Sequence, residues 1–187
     1  MKNLAVFVSG TGSLLEAMIA DNLTIALVLA DRECRGLEIA RAAGIPAELV
    51  KRTSFGRSFD RRAYTLTVVC VLKCYKIKLV AMAGFMTVLD PVIFQRGYRG
   101  RILNTHPALL PAFKGDHAVA DALKYGAMIS GCTIHIATEE LDAGKILAQE
   151  AVVVMPGDTK DKLHERIKQA ERRLYPLTIR QFMEAIE

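Results

Sequence analysis

Residues 4–20 read LAVFVSGTGSLLEAMIA, and this stretch predicts the fold class. Five consecutive apolar residues, 4–8, are typical of a strand that is buried on both faces of a sheet. A glycine-rich break at residues 9–13 follows, and residues 14–20 have the composition of a helix. A buried strand that leads through glycines into a helix is the opening unit of an α/β fold with a parallel sheet.

The chain after this unit first repeats the pattern and then changes it. Strands are predicted at residues 25–30, 47–50, 78–83, 101–104, 129–138 and 145–155, and helices at residues 36–43, 59–75 and 116–125. A long final helix is predicted after a cap at Asp158 and Thr159. We therefore expect an α/β, Rossmann-like fold, with a mainly parallel twisted sheet, an antiparallel C-terminal addition and helices on both faces.

The composition favours an ordinary globular enzyme with small anionic ligands. Hydrophobic residues are 51% of the chain, charged residues are 24%, and the net charge is +5. No apolar run is long enough to cross a bilayer and no signal peptide precedes the first strand, so we expect a cytoplasmic protein without a membrane partner. The basic residues are scattered without an aromatic stripe, and we expect no nucleic-acid partner. The four cysteines lack metal-site spacing, so no metal is expected.

The glycines at residues 10 and 12 lie where a helix N-terminus can receive a phosphate. A simple tight turn is the alternative interpretation. A dinucleotide site is a second alternative, because Asp31 follows about twenty residues later, where a ribose-binding acid would stand. Leu15 replaces the third glycine of that pattern, however. The loop is therefore predicted to bind a phosphate and not a whole dinucleotide.

Residues 101–115, RILNTHPALLPAFKG, contain the candidate reaction centre. Asn104 and His106 are two residues apart, so their side chains point to the same face of an extended chain. An amide donor beside an imidazole is suited to stabilise and protonate a developing oxyanion. Taken alone, a histidine that is merely hydrogen-bonded at a strand end is the better interpretation of this pair.

The run NTHPALLP at residues 104–111, with Lys114 and Gly115, resembles the signature of the folate-dependent formyltransferases. Within that family, the Asn-x-His-Pro form is most similar to the members that formylate glycinamide ribonucleotide. Further motifs match in the same order: SGTGS at 9–13, AGFM at 83–86, ELDAG at 140–144, and Glu171 followed by Tyr175 and Pro176. The resemblance extends from about residue 4 to residue 182.

This resemblance implies a fold, a reaction and ligands. It implies one domain over residues 1–187, with a phosphate-binding half at 1–100 and a catalytic and folate-binding half at 101–187. The implied reaction is formyl transfer from 10-formyltetrahydrofolate to the amine of 5-phosphoribosyl glycinamide in purine biosynthesis. The implied partners are small molecules only, without a metal, and the implied state is a monomer or weak homodimer.

The resemblance also assigns roles to individual residues. Asn104 is expected to donate to the oxyanion, His106 to act as general acid, and Asp142 to favour the imidazolium form of His106. The expected acceptor-binding residues are Gly12, Ser13, Leu14 and Glu171. The expected folate-binding residues are Arg61, Met86, Thr87, Val88, Leu89, Asn104, Thr138, Glu139, Glu140, Leu141 and Asp142.

The sequence departs from the family at several of these positions. Leu14 stands where asparagine is usual, Thr87 where arginine is common, and Asp31 where asparagine is frequent. The loop before Arg61 is one residue shorter than usual, so a solvated helix charge is the alternative for Arg61. His135 is interpreted as a satisfied half-buried ring and not as a catalytic group.

Three other functions remain open from the sequence. A formyltetrahydrofolate hydrolase uses similar residues with water as acceptor but normally carries an N-terminal regulatory domain. A methionyl-tRNA formyltransferase is expected to have an added C-terminal RNA-binding domain. A non-catalytic nucleotide-binding module would not need Asn104, His106 and Asp142 together.

Overall fold

The computed structural model describes residues 3–54, 56 and 58–186. The chain divides into two compact units, Met1–Ile102 and Leu103–Glu187, which are described separately below. This boundary lies within three residues of the predicted division between the two halves. The expectation that both halves act as one domain stays a prediction.

The first unit alternates strands and helices. Its elements are β1 (Leu4–Val8), α1 (Ser13–Ala20), β2 (Ile25–Ala30), α2 (Arg35–Ala42), β3 (Ala47–Leu49), α3 (Arg61–Cys74), β4 (Leu79–Met82) and a helical turn (Phe94–Tyr98). The strands are parallel, in the order β3-β2-β1-β4. All five residues of β1 are buried, as expected for a central strand of a parallel sheet. Because the strands are parallel, the loops that follow them gather at one edge of the sheet.

The second unit has an antiparallel sheet. Its elements are β5 (Ile102–His106, which begins at the last residue of the first unit), α4 (Ala118–Tyr125), β6 (Ile129–Ile136), β7 (Ile146–Val153) and α5 (Lys160–Ala185). The strand order is β5-β6-β7, and both pairs are antiparallel. The α/β, Rossmann-like prediction, with parallel strands first and antiparallel strands later, is confirmed.

Helix α5 covers the core of the second unit. Thr159 caps it, because its side-chain oxygen accepts the Lys162 N–H at 3.3 Å. Leu163, Ile167 and Ala170 recur at helical spacing and are fully buried in one cluster of the core. No helix in the described part of the chain is long and apolar enough to span a membrane.

Tyr175 of α5 ties this helix to β5. Its ring is fully buried, and its hydroxyl donates to the Leu103 carbonyl at 2.9 Å. A buried carbonyl that loses its donor carries an uncompensated desolvation cost. The hydroxyl therefore contributes to the stability of the second unit.

Removal of this hydroxyl gives a direct test of the packing. We expect Tyr175→Phe to lower the free energy of unfolding by about 1 kcal/mol, measured by urea denaturation. Tyr125→Phe is the matched control, because Tyr125 is 81% exposed and its variant should unfold like the parent. Equal effects of the two substitutions would contradict this role for Tyr175.

Candidate active site

Asn104 and His106 lie on one face of β5, as period-two alternation requires. Asn104 is the antiparallel partner of His135 in β6, and its Nδ2 lies 3.3 Å from His135 Nε2. Thr105 points the other way, where its hydroxyl donates to Glu171 Oε1 at 2.7 Å. The strand thus separates two polar groups of the second unit onto opposite faces.

The Asp142 carboxylate contacts both His106 of β5 and His135 of β6. Its Oδ2 lies 3.4 Å from His106 Nδ1, and its Oδ1 lies 3.6 Å from His135 Nε2. The Gly115 N–H donates to Oδ2 at 2.9 Å. The side chains of Asp142 and His106 are 4% and 5% exposed, so their attraction is little screened by water. The structure therefore brings the three predicted catalytic residues together.

The surroundings of Asp142 favour its ionised form. Burial by itself would raise the pKa of Asp142, because it disfavours the charged carboxylate. The nearby His135 ring, the hydrogen bond from the Gly115 N–H and the charge of His106 outweigh burial and hold the pKa of Asp142 below its ordinary value. Asp142 is therefore a carboxylate at neutral pH.

The loop after β5 positions both His106 and Asp142. His106 Nε2 lies 2.8 Å from the Phe113 carbonyl oxygen, which can only accept a hydrogen bond, so Nε2 carries a proton. Gly115, two residues later, has φ +94°, a conformation that side chains disfavour. This φ accompanies the Gly115 N–H donation to Asp142. Both nitrogens of His106 thus face acceptors, so a doubly protonated ring can donate a hydrogen bond from each nitrogen.

His135 belongs to this cluster, although the sequence predicted only a satisfied half-buried ring and not a group of the site. The ring is 2% exposed, more buried than the predicted half-buried histidine. It lies between Asn104 and Asp142, as the distances above show. Only the register of β5 against β6 puts His135 beside Asn104, and that pairing joins residues 31 positions apart.

Glu171 is a buried carboxyl on the opposite face of β5. It is 6% exposed, and it accepts a hydrogen bond from the Thr105 hydroxyl. Burial raises the pKa of Glu171 above its ordinary value, and the hydrogen bond from Thr105 opposes this shift only in part. Such a group gains from any further donor that reaches it.

The predicted phosphate loop of the first unit ends at a helix N-terminus. Gly12, at φ +74°, precedes α1, and a Cβ there would lie 2.8 Å from Ile39 Cδ1 and 2.9 Å from Gly36 Cα. Only glycine fits this position without a shift of α2. The N–H groups of the first turn of α1, from Ser13 onward, have no acceptor within the helix and can receive an anion.

Leu14 and Leu15 follow this loop with side chains in the core. Leu14 is 8% exposed and Leu15 is fully buried. The Leu14 side chain therefore belongs to the packing of the first unit, and a backbone N–H is what this residue can offer to an acceptor. A leucine here also supplies no side-chain hydrogen bond to a bound ligand.

The side chains of Asp31 and Thr87 are hydrogen-bonded to each other. Both positions were expected from the sequence to depart from the family. The Thr87 hydroxyl donates to Asp31 Oδ2 at 2.7 Å, and Arg32 donates to both Asp31 oxygens at 3.0 Å. Asp31 is fully buried and Thr87 is 3% exposed. Asp31 is therefore not presented to a ribose. The Thr87 side chain is used inside the protein, which leaves its backbone for any contact with folate.

The other predicted folate residues lie in exposed segments. Met86 and Val88 are 62% and 53% exposed, although both are apolar, and the Met86 N–H donates to Ser9 Oγ at 2.8 Å. Leu141 is 57% exposed. The remaining positions are half-buried at Leu89 and exposed at Arg61, Thr138, Glu139 and Glu140. Exposed apolar side chains on a fixed backbone are suited to cover the ring of a ligand.

Within the described residues, no group of three or more His, Cys, Asp or Glu is arranged to hold a metal ion. All four cysteines are free thiols. The side chains gathered at the site supply an amide donor, two imidazoles and a carboxylate.

Comparison with known proteins gives consistent similarities. Residues 2–179 match the family described as formyl transferase. A phosphoribosylglycinamide formyltransferase of Mycobacterium tuberculosis is 44% identical over 176 residues, which cover 91% of this chain and 80% of that protein. A trifunctional purine biosynthetic protein of Gallus gallus is 40% identical over 94% of this chain and 18% of its own length. The crystal structure of a glycinamide ribonucleotide transformylase from Symbiobacterium toebii superposes with a TM-score of 0.90, at 36% identity, over 99% of this chain and 89% of that one.

The raised pKa of Glu171 predicts a pH-dependent stability. The folded carboxyl keeps its proton above pH 4.5, where the unfolded one loses it, so the free energy of unfolding falls as pH rises towards the folded pKa. At pH values above the folded pKa, each unit by which folding raises the pKa of Glu171 lowers the free energy of unfolding by about 1.4 kcal/mol. We expect Glu171→Gln to lose less stability than the parent between acidic and mildly alkaline pH, measured by urea denaturation. The exposed Glu184→Gln variant is the control, and parallel profiles for Glu171→Gln and the parent would refute the assignment.

Proposed function

The chain belongs to the formyl transferase family, among its phosphoribosylglycinamide formyltransferases, and on that premise we propose how its own residues catalyse the reaction. The formyl group moves from 10-formyltetrahydrofolate to the primary amine of phosphoribosyl glycinamide. Asn104, His106 and Asp142 carry the chemistry. The observation that supports this most directly is the contact of the Asp142 carboxylate with His106, beside Asn104.

The first step makes a tetrahedral intermediate. The acceptor amine forms a bond to the formyl carbon, and the carbonyl π electrons move to the oxygen. Asn104 has two amide hydrogens, and its contact with His135 engages at most one of them, so one is left for this oxygen. A fixed amide donor stabilises charge that develops in the transition state without a reorganisation cost.

His106 is the second donor to this oxygen. As general acid it gives its Nε2 proton to the oxygen in the intermediate, and the proton returns to Nε2 when the carbonyl re-forms. Its Nε2 proton faces the Phe113 carbonyl, a neutral acceptor. A formyl oxygen that gains negative charge is a stronger acceptor and competes for the same proton. Asp142, ionised and 3.4 Å from Nδ1, stabilises the positive charge on the ring while it donates.

The second step expels the folate. The electrons on oxygen re-form the carbonyl, the bond from the formyl carbon to the folate N10 breaks, and N10 takes up a proton. The amine that attacked loses a proton, so the two transfers balance. A water beside Asp142 carries this proton from the amine to N10, and the carboxylate orients that water. The products are formylated phosphoribosyl glycinamide and tetrahydrofolate.

The remaining predicted residues are proposed to bind the two substrates. The N–H groups at Gly12, Ser13 and Leu14 receive the acceptor phosphate at the start of α1. Glu171 accepts a hydrogen bond from the acceptor amine or a ribose hydroxyl, since its buried carboxyl gains from another donor. For the folate, Met86, Val88, Leu89 and Leu141 supply apolar contacts, and Thr87, Thr138, Glu139 and Glu140 line the site through their loops. Arg61 pairs with the carboxylates of the glutamate tail.

One assay separates transfer from its rivals. The absorbance change as formylfolate is consumed is followed with and without phosphoribosyl glycinamide. Transfer predicts loss of formylfolate that depends on the acceptor. Loss without acceptor would instead identify a hydrolase, and no loss in either mixture would identify a binding module.

Single substitutions test the roles of the three catalytic residues. We expect Asn104→Ala to lower kcat by about 100- to 1,000-fold, as for the loss of one oxyanion donor elsewhere. His106→Ala and Asp142→Ala should lower kcat at least as much, with a circular dichroism spectrum like that of the parent. His117→Ala is the control histidine, because its side chain is 72% exposed, and it should keep the parent rate. Turnover near the parent value in Asp142→Ala would overturn the mechanism.

A further inference from the structure

We infer that the first unit has a second anion-binding site, for a small molecule with two or more phosphate groups. The site is a cavity of about 690 Å3 lined by Lys73, Lys76, Lys78, Arg96 and Arg101, with Gly97 among its other lining residues. We call it the basic cavity. Its volume is in the range of pockets that hold nucleotide-sized ligands.

The charge of the basic cavity points to a polyanion. None of its lining residues is acidic. Five of the 25 basic residues of the chain line this one cavity. Among the described residues, these five side chains form no ion pair. Several like charges on one concave surface raise the local potential well above that of scattered surface lysines.

The fold itself brings these cations together. Lys78 immediately precedes β4, and Arg101 immediately precedes β5. The Val80 N–H donates to the Arg101 carbonyl at 2.9 Å, so the two strand starts lie side by side. The cations before these strands are therefore fixed near each other by the hydrogen bonds of the sheet.

Two helical segments supply the other cations and an open backbone. Lys73 lies in the last turn of α3, and Lys76 follows the end of that helix. Arg96 lies in the helical turn, where Gly97 has φ +105°. Among the described residues, no heavy atom beyond Gly97 and its two chain neighbours lies within 4 Å of the position that a Cβ on Gly97 would take, so a ligand can approach the backbone there.

Attraction to the end of α3 does not account for the whole cavity. Cations near a helix C-terminus are stabilised by the partial negative charge of its carbonyl groups, which is about half an elementary charge. This attraction explains why Lys73 and Lys76 are favourable near the end of α3, but it does not explain Arg96 or Arg101. Five full positive charges also exceed this partial charge, so the cavity keeps a positive potential.

The basic cavity is separate from the proposed phosphate loop at residues 10–13. The strands of the first unit are parallel, and the loop follows the end of β1, whereas the cavity lies where β4 and β5 begin. The four residues of β4 alone span roughly 13 Å at about 3.3 Å per residue. One phosphate cannot occupy both places, so the cavity is an independent site.

Titration calorimetry with sodium tripolyphosphate tests this inference. Saturating phosphoribosyl glycinamide is present to occupy the acceptor site, at about 150 mM salt, where charges more than roughly 8 Å away are screened. We expect one further site, and we expect Lys76→Glu combined with Arg96→Glu to weaken its Kd at least about tenfold. Lys124→Glu combined with Lys160→Glu makes the same charge change outside the cavity and should alter Kd by less than about twofold. Both double variants should keep the parent rate of formyl transfer.

Three results would overturn the inference. They are the absence of a further site at millimolar tripolyphosphate, an equal loss of binding in the two double variants, and a short single-stranded RNA that binds through Lys76 and Arg96 more tightly than tripolyphosphate. The last result would identify a nucleic-acid surface instead of a small-molecule site. Because tripolyphosphate binding is measured apart from formyl transfer, this test can fail while the proposed function stands.

Discussion

The carboxylate of Asp142 is the group on which the arrangement of the catalytic residues depends. It is buried, and a buried charge is tolerated only when its surroundings supply hydrogen bonds and opposite charge. His106, His135 and the Gly115 N–H supply them here. Each of these groups is in turn held by Asp142, so the requirement of one buried charge fixes the imidazole, the loop after β5 and the strand β6 in one arrangement.

Local patterns in the sequence predicted the scaffold and half of the site. The buried run at residues 4–8 and the glycines after it specify β1, the loop and α1 without reference to distant residues. The two-residue spacing of Asn104 and His106 likewise placed both on one face of β5. Asp142 was assigned by resemblance alone, because its contact with His106 joins residues 36 positions apart. His135 was predicted as a satisfied half-buried ring and not as part of the site, because its contact with Asn104 depends on the register of β5 against β6.

Burial explains why other predicted residues use their side chains differently from expectation. Thr87 was expected to face the folate, but its hydroxyl satisfies Asp31, a buried carboxylate 56 positions away. The two residues satisfy each other across 56 positions of sequence, which neither position reveals alone. Leu14 follows the phosphate loop, yet the first turn of α1 places it in the core. In each case a demand of the interior determines where the side chain points: a buried carboxylate that needs hydrogen-bond donors, or an apolar surface that needs to be covered.

The ionisation of Asp142 is the most direct measure of this account. The carboxyl carbon of Asp142 can be followed by 13C NMR as pH is lowered, with its resonance assigned by its loss in Asp142→Asn. The account predicts that the carboxyl remains ionised as pH falls to its ordinary pKa of 3.8 and is half-protonated only below that value. A midpoint at or above 3.8 would contradict it, because the hydrogen bonds and the charge of His106 would then not outweigh burial.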